Sequence, residues 1–261
     1  MLTKQIDLKA KGQRLVIYGG LAGIILLAWA YLFYLATSMR MTNMSMDISM
    51  PSMQVWGVMD TALTFVMWVV MMVAMMTPSA VPLILMYRTI SQNQHKEKSR
   101  LSSTWLFLLG YLVTWIVFSG IATLAQWGLH SAALLTPMIA SASPLLGGAL
   151  LVAAGVYQLT PLKEACLSHC RTPMGFLLVE WRDGKLGSVV MGMRHGLYCV
   201  GCCWLLMALL FVGGVMNLVW VALIAAFVLV EKVAPSRMWL SRISGIAAIA
   251  WGLWLVVGPV L

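Results

Sequence analysis

Long apolar runs alternate with short polar segments along the whole chain. A run of about 20 apolar residues is long enough to cross a bilayer core about 30 Å thick as an α-helix. Seven runs approach or exceed this length, near residues 15–36, 59–86, 104–127, 142–160, 188–213, 215–231 and 239–258. The pattern predicts an all-α fold, a polytopic transmembrane bundle of about seven helices that forms a single membrane domain over residues 1–261.

Composition supports this class of protein and excludes a soluble domain. Hydrophobic residues make up 61% of the 261 positions and charged residues 10%, whereas soluble domains are about half apolar and a quarter charged. No small-residue cleavage site follows the first apolar run, so we expect a retained first helix and not a removed signal peptide.

Basic residues predict the orientation of the bundle. Of the 17 Lys and Arg, 15 fall on one side of the seven predicted helices, and short basic loops stay in the cytoplasm. The prediction is a multi-pass protein of the bacterial inner (cytoplasmic) membrane, with a cytoplasmic N-terminus and an external C-terminus. The net charge of +9 is therefore a topology signal, and we expect no nucleic-acid partner. A methionine-rich external loop is predicted at 38–58 and a Cys/His cytoplasmic loop at 161–187.

The fifth predicted helix carries a face of soft ligands. At 100° per residue, one arc of about a third of the helix circumference contains five thioether, imidazole and thiol side chains. They are Met191, His195, Cys199, Cys202 and Cys203. A buried cysteine is often only a small apolar side chain. Three of them beside a histidine, whose burial in the membrane costs free energy, favour a functional site.

The predicted cytoplasmic loop contains a second cluster, Cys166, His169 and Cys170. Their spacing places all three on one turn of a helix. Thiols stay reduced in the cytoplasm, so a metal or redox site is favoured over a structural disulfide.

Methionines extend the series of soft ligands. Seven of them, separated by polar residues, lie in or beside the external loop: Met39, Met41, Met44, Met46, Met50, Met53 and Met59. Met67, Met71 and Met75 share one face of the second predicted helix. Thioethers and thiols together select Cu(I), which is the predicted metal, with Zn(II) as the second option.

Two motifs resemble those of a bacterial family of predicted metal-binding integral membrane proteins, a domain of unknown function. They are C-L-x-H-C-R at 166–171 and H-G-x-Y-C-x-G-C-C-W at 195–204. The resemblance covers roughly residues 56–236 and implies metal binding at the cysteines and histidines of these motifs.

The leading hypothesis is a membrane protein that binds Cu(I) and handles, delivers or translocates it, with no enzymatic activity. Its expected partners are the lipid bilayer and a metallochaperone or metal-recipient protein. One alternative is a membrane thiol–disulfide redox carrier that uses Cys199 and Cys202. The other is a non-catalytic scaffold subunit with a structural zinc. The sequence predicts no oligomeric state.

Overall fold

The computed structural model describes residues 2–46, 57–91, 97–132, 134, 143–233 and 237–257, and it describes side chains from residue 15 onward within most of these ranges. Ten helices and no strands occur in this part of the chain, which confirms the all-α prediction there. Their bounds are α1 Leu2–Met46, α2 Val58–Ser91, α3 Glu97–Ser131, α4 Pro144–Gln158, α5 Pro161–Arg171, α6 Pro173–Glu180, α7 Gly184–Ala208, α8 Leu210–Gly213, α9 Leu218–Val233 and α10 Arg237–Val257.

The prediction of seven spanning helices is corrected by the lengths of these elements. Among the described residues, five spans are long and apolar enough to cross a membrane, and they lie in α1, α2, α3, α7 continued by α8, and α10. The run at 142–160 instead forms α4, which meets α5 at a bend of 67° and gives a sixth span only if the pair counts as one. The run at 215–231 forms α9, whose 16 residues are fewer than a membrane helix usually needs.

Both predicted loops contain helix. Residues 161–180 of the predicted cytoplasmic loop form α5 and α6, because Pro161 and Pro173 occupy first-turn positions that need no backbone donor. The Thr160 hydroxyl also caps α5 by accepting a bond from the Lys163 N–H at 3.3 Å. Of the predicted external loop, residues 38–46 continue α1, and 47–56 lie outside the described residues.

Glycines allow α3 and α7 to pack with their backbones in close contact. A Cβ placed on Gly110 would lie 2.1 Å from the carbonyl oxygen of Val189, and one on Gly192 would lie 2.0 Å from that of Phe107. The pair α4 and α10 packs in the same way through Gly148 and other glycines. Contacts through small residues are typical of helices packed in lipid, where the hydrophobic effect does not hold helices together.

We expect Gly110→Ala to lower the stability of the bundle by about 1–3 kcal/mol, the usual cost of overpacking, because its methyl group meets rigid backbone. Gly128→Ala on the same helix is the matched control, since no atom lies within 4 Å of its added Cβ. There the gain in helix propensity should stabilise slightly. Thermal unfolding in detergent measures both variants, and equal melting temperatures would contradict the packing described for α3 and α7.

Two short helices, α4 and α9, end beside the middle of α7. The last turn of α4 reaches Gly201 of α7, whose carbonyl accepts a hydrogen bond from the Tyr157 hydroxyl. The last turn of α9 reaches Cys199 through Lys232. α10 begins beside the end of α4, where Gln158 donates to Ser244 at 3.4 Å. Short helices that end beside α7 leave polar groups there, so this part of α7 is where a binding site is expected.

Candidate metal-binding site

Four cysteine thiols lie close together beside the ends of α4 and α9, and we call them the thiol cluster: Cys170, Cys199, Cys202 and Cys203. The Cys170 thiol lies close enough to those of Cys199 and Cys202 to interact with them electrostatically, and the three α7 thiols interact with one another in the same way. The α7 thiols are buried and Cys170 is half-buried. All four are free cysteines. The structure therefore brings one cysteine of the C-L-x-H-C-R motif to the three cysteines of the second motif.

Two thiols of the cluster are bound to the backbone of their own helix. The sulfur atoms of Cys202 and Cys203 donate to the carbonyl oxygen of Cys199 at 3.1 and 2.9 Å. Within the described residues, no three His, Cys, Asp or Glu side chains are already arranged to hold a metal ion. A metal ligand must be a thiolate, so Cys202 and Cys203 would have to lose a proton and turn away from this carbonyl to bind one.

Lys232 and Tyr111 contact the cluster from two further helices, and the sequence did not indicate either of them. The Lys232 ammonium donates to the Cys199 sulfur at 2.8 Å and to the Ser79 hydroxyl at 3.0 Å. The Tyr111 hydroxyl lies 3.1 Å from the same sulfur and donates to the carbonyl of Met76 at 3.1 Å. Lys232 could have been found from the sequence, because it is an ionisable residue at the end of an otherwise apolar run, and such residues often have a functional role in membrane helices.

His195 lies one turn of α7 before Cys199 and is buried among aromatic rings. Its ring centroid is 5.6 Å from that of Tyr111 and 5.3 Å from that of Phe176. Among the described residues its Nδ1 atom is buried and has no hydrogen-bond partner. A buried polar atom without a partner is costly, so this nitrogen is one that a ligand would stabilise.

The other predicted ligands from α5 and α7 make contacts of their own. His169 stacks on Tyr198 with ring centroids 4.2 Å apart, and its Nδ1 lies 2.9 Å from the carbonyl of Ala165. The Cys166 sulfur lies over Gly201, where an added Cβ would be 2.8 Å from it. The Met191 sulfur accepts a hydrogen bond from the Arg182 N–H at 3.3 Å. Cys166 thus lies beside the thiol cluster. His169 and Met191 lie where α7 packs against the segment that precedes it.

Burial does not single out the predicted methionine face of α2. Met67, Met71 and Met75 are buried, but so are Met72 and Met76 on the other face. The reason is that α2 packs against α1, α3, α6 and α9. The Met59 side chain is exposed, Met50 and Met53 lie outside the described residues, and the side chains of Met39, Met41, Met44 and Met46 are not described.

A buried ion pair fixes α5, and with it Cys170, against α9. The Lys163 ammonium lies 2.7 Å from the Glu231 carboxylate, and each side chain is 2% exposed. The Ser241 hydroxyl donates to the same carboxylate at 2.7 Å, and the Arg171 Nε–H donates to the Glu231 carbonyl at 2.7 Å. Adjacent residues of α9 thus have separate contacts, since Glu231 binds α5 and Lys232 reaches the thiol cluster.

Comparison with known proteins gives one family. The model of a family described as PpoB2, copper chaperone, matches residues 65–255, which is well over half of the chain. This range contains the whole thiol cluster and both contacting side chains, Lys232 and Tyr111. No curated protein and no solved structure matches the chain.

Proposed function

The chain belongs to the copper chaperone family, and we propose that it is a membrane protein that binds Cu(I) at the thiol cluster and passes it to a metal-recipient protein. The observation that carries the proposal is the meeting of four free thiols from α5 and α7, of which the three from α7 are buried. The proposed ligands are drawn from Cys170, Cys199, Cys202 and Cys203, with His195 beside them. The family description also fits a role without catalysis, since a chaperone binds and releases its ion.

Ligand chemistry favours Cu(I) over Zn(II) at this site. Four cysteines can also form a structural zinc site, and thiolates alone do not exclude it. Thioethers, however, suit Cu(I) and are poor ligands for Zn(II), and buried methionines are frequent in α2, the helix whose Met76 backbone carbonyl accepts from Tyr111 beside the cluster. We propose that Met67, Met71 and Met75 line a route between the cluster and the methionine-rich segment at 38–58.

Lys232 would balance the charge of the bound ion. One Cu(I) held by two thiolates carries a net charge of minus one, which is expensive in a medium of low dielectric constant. The ammonium of Lys232, already 2.8 Å from the Cys199 sulfur, would make the site neutral overall. We propose that the Lys232 ammonium keeps its hydrogen bond to the Cys199 sulfur when copper is bound, and that Lys232 is not itself a copper ligand.

The contacts between helix ends support the proposed topology. Tyr87 near the end of α2 bonds to Ser188 near the start of α7 at 2.8 Å, and a Cβ on Gly20 of α1 would touch the ring of Trp105 near the start of α3. The basic ends of these helices therefore lie at one end of the bundle. By the positive-inside rule, we place this end in the cytoplasm of a bacterium, with the N-terminus inside and the C-terminus outside the inner membrane.

Titration of the purified protein with Cu(I) in detergent, under reducing conditions, tests the proposal. We expect uptake of Cu(I) in competition with a chromophoric Cu(I) chelator, and much weaker uptake of Zn(II). Tight binding of Zn(II) with no binding of Cu(I) would favour the scaffold with a structural zinc. Failure to bind Cu(I) at all would overturn the proposed function.

The contact of Lys232 with Cys199 supports a second candidate, the thiol redox carrier. A nearby ammonium stabilises a thiolate, which is the species that attacks a disulfide. In that reaction Cys199 and Cys202 would be oxidised to a disulfide while a partner disulfide is reduced to two thiols. Thiols that stay reduced in cells while copper is bound would separate the two functions in favour of copper handling.

A further inference from the structure

A cavity of about 240 Å³ lies where α4 bends into α5, next to the first turns of α10. It is separate from the thiol cluster, since no cysteine lines it. Of the side chains that the structure describes, three basic ones line it, those of Lys163, Arg171 and Arg242. The hydroxyl-bearing residues Thr160 and Ser241 are also part of its wall. The two hydroxyls already donate to the Tyr157 carbonyl and the Glu231 carboxylate, so the cavity offers positive charge that the proposed copper site does not use.

The polar wall of this cavity is held in place by buried bonds. The Lys163 ammonium is bound by the Glu231 carboxylate, which also accepts from Ser241. Arg171 is held through its Nε by the Glu231 carbonyl. Counting Glu231 and the exposed Glu164 of the lining against the three bases leaves one net positive charge. The cavity suits a small anionic group better than a cation.

Two further residues of the lining are apolar and exposed. Leu159 is 46% exposed and Ile246 is 61% exposed, and both line the cavity. Only 11% of the residues in the most apolar window of α10 are buried within the protein, so the side of α10 that faces away from α4 is left for lipid. A molecule that fits both parts has an anionic head and long apolar chains.

We propose that this cavity binds the phosphate headgroup of an anionic membrane lipid, with an acyl chain lying along α10 past Ile246. The inference rests on the membrane location proposed above, but not on copper binding. Because α4 bends into α5 beside the first turns of α10, the cavity lies where a headgroup can enter between helix ends. Basic pockets between helices on the cytoplasmic side are known to take such headgroups.

The test is lipid binding by the copper-free protein in detergent. We expect phosphatidylglycerol to raise the melting temperature by about 5 °C at saturating concentration and to remain bound in native mass spectrometry. Phosphatidylcholine with the same chains, which has no net charge, should give a much smaller shift. Inorganic phosphate tests the free anion, and a shift as large as that from phosphatidylglycerol would overturn the assignment to a lipid.

A pair of matched variants tests the location of the site. Arg242→Gln removes one exposed charge of the cavity and should weaken phosphatidylglycerol binding by about tenfold, the usual loss for one charge-assisted hydrogen bond. Lys185→Gln removes one exposed charge in the first turn of α7, outside the cavity, and should leave binding unchanged. Equal affinities of the two variants would overturn the proposed site. The lipid experiment contains no copper, so a negative result there would not count against Cu(I) binding at the thiol cluster. In the same way, a protein that fails to bind Cu(I) could still bind the lipid.

Discussion

Replacement of Cys199, Cys202 and Cys203 together by serine is expected to weaken Cu(I) binding by more than about 100-fold. Loss of a residue that only supports a metal ligand typically costs 10–100-fold in affinity, and this variant removes three of the four proposed ligands. Serine hydroxyls are hard donors that stay protonated, so they do not replace thiolates toward a soft ion. Competition with a Cu(I) chelator under reducing conditions measures the loss.

The fold of this variant should be retained, which makes the measurement interpretable. Serine is close to cysteine in size, and its hydroxyl can also donate to the Cys199 carbonyl position, as Cys202 and Cys203 do now. Cys166→Ser is the matched control, because Cys166 lies over Gly201 and outside the thiol cluster. It should keep its affinity within a few-fold. A triple variant that binds Cu(I) as tightly as the parent protein would exclude the thiol cluster as the site.

Replacement of Lys163 by methionine is expected to destabilise the protein by about 3–5 kcal/mol, because the Glu231 carboxylate would remain buried without its partner. In a protein of this size that loss corresponds to a melting temperature lower by roughly 10 °C. α5 would lose one of its two attachments to α9, since only the bond from Arg171 to the Glu231 carbonyl would remain, and Cys170 would be held less firmly against α7. Thermal unfolding in detergent measures the first effect, and alkylation of Cys170 measures the second.

The double variant Lys163→Met with Glu231→Gln separates the ion pair from simple packing. Neutralising the carboxylate removes the buried charge while an amide can still accept from Ser241, so at least half of the lost stability should return. If the double variant is less stable than the single one, the destabilisation has another cause than the uncompensated carboxylate.

Much of the candidate site was predictable because cysteine and histidine are rare at membrane depth and lie at helical spacing. His195, Cys199, Cys202 and Cys203 were predicted on one arc of a helix, and all four are buried in α7. Helical periodicity is a local property, so it specifies which side chains share a face. It does not specify what faces them, and Met191 on the same arc instead binds a backbone N–H in the segment that precedes α7.

The predicted loop at 161–187 shows why other parts were missed. Polar residues such as Lys163, Glu164 and Arg171 are typical of an exposed connection, yet two proline-initiated helices form there. The first of them, α5, is held in place because Lys163 forms an ion pair with the Glu231 carboxylate, 68 residues later in the chain. A partner at that separation leaves no mark in the local pattern, so the sequence could not distinguish a loop from a packed helix.

By itself the sequence determined that the chain is rich in helices long and apolar enough to span a membrane, and its cysteines and methionines predicted soft-ligand chemistry. Only the tertiary structure decided that Cys170 joins the three α7 thiols while His169 stacks on Tyr198. It also decided that Lys232 and Tyr111 contact Cys199. The physical reason is that residue type and helical spacing are local, whereas a site built from α3, α5, α7 and α9 depends on where helices bend, end and pack.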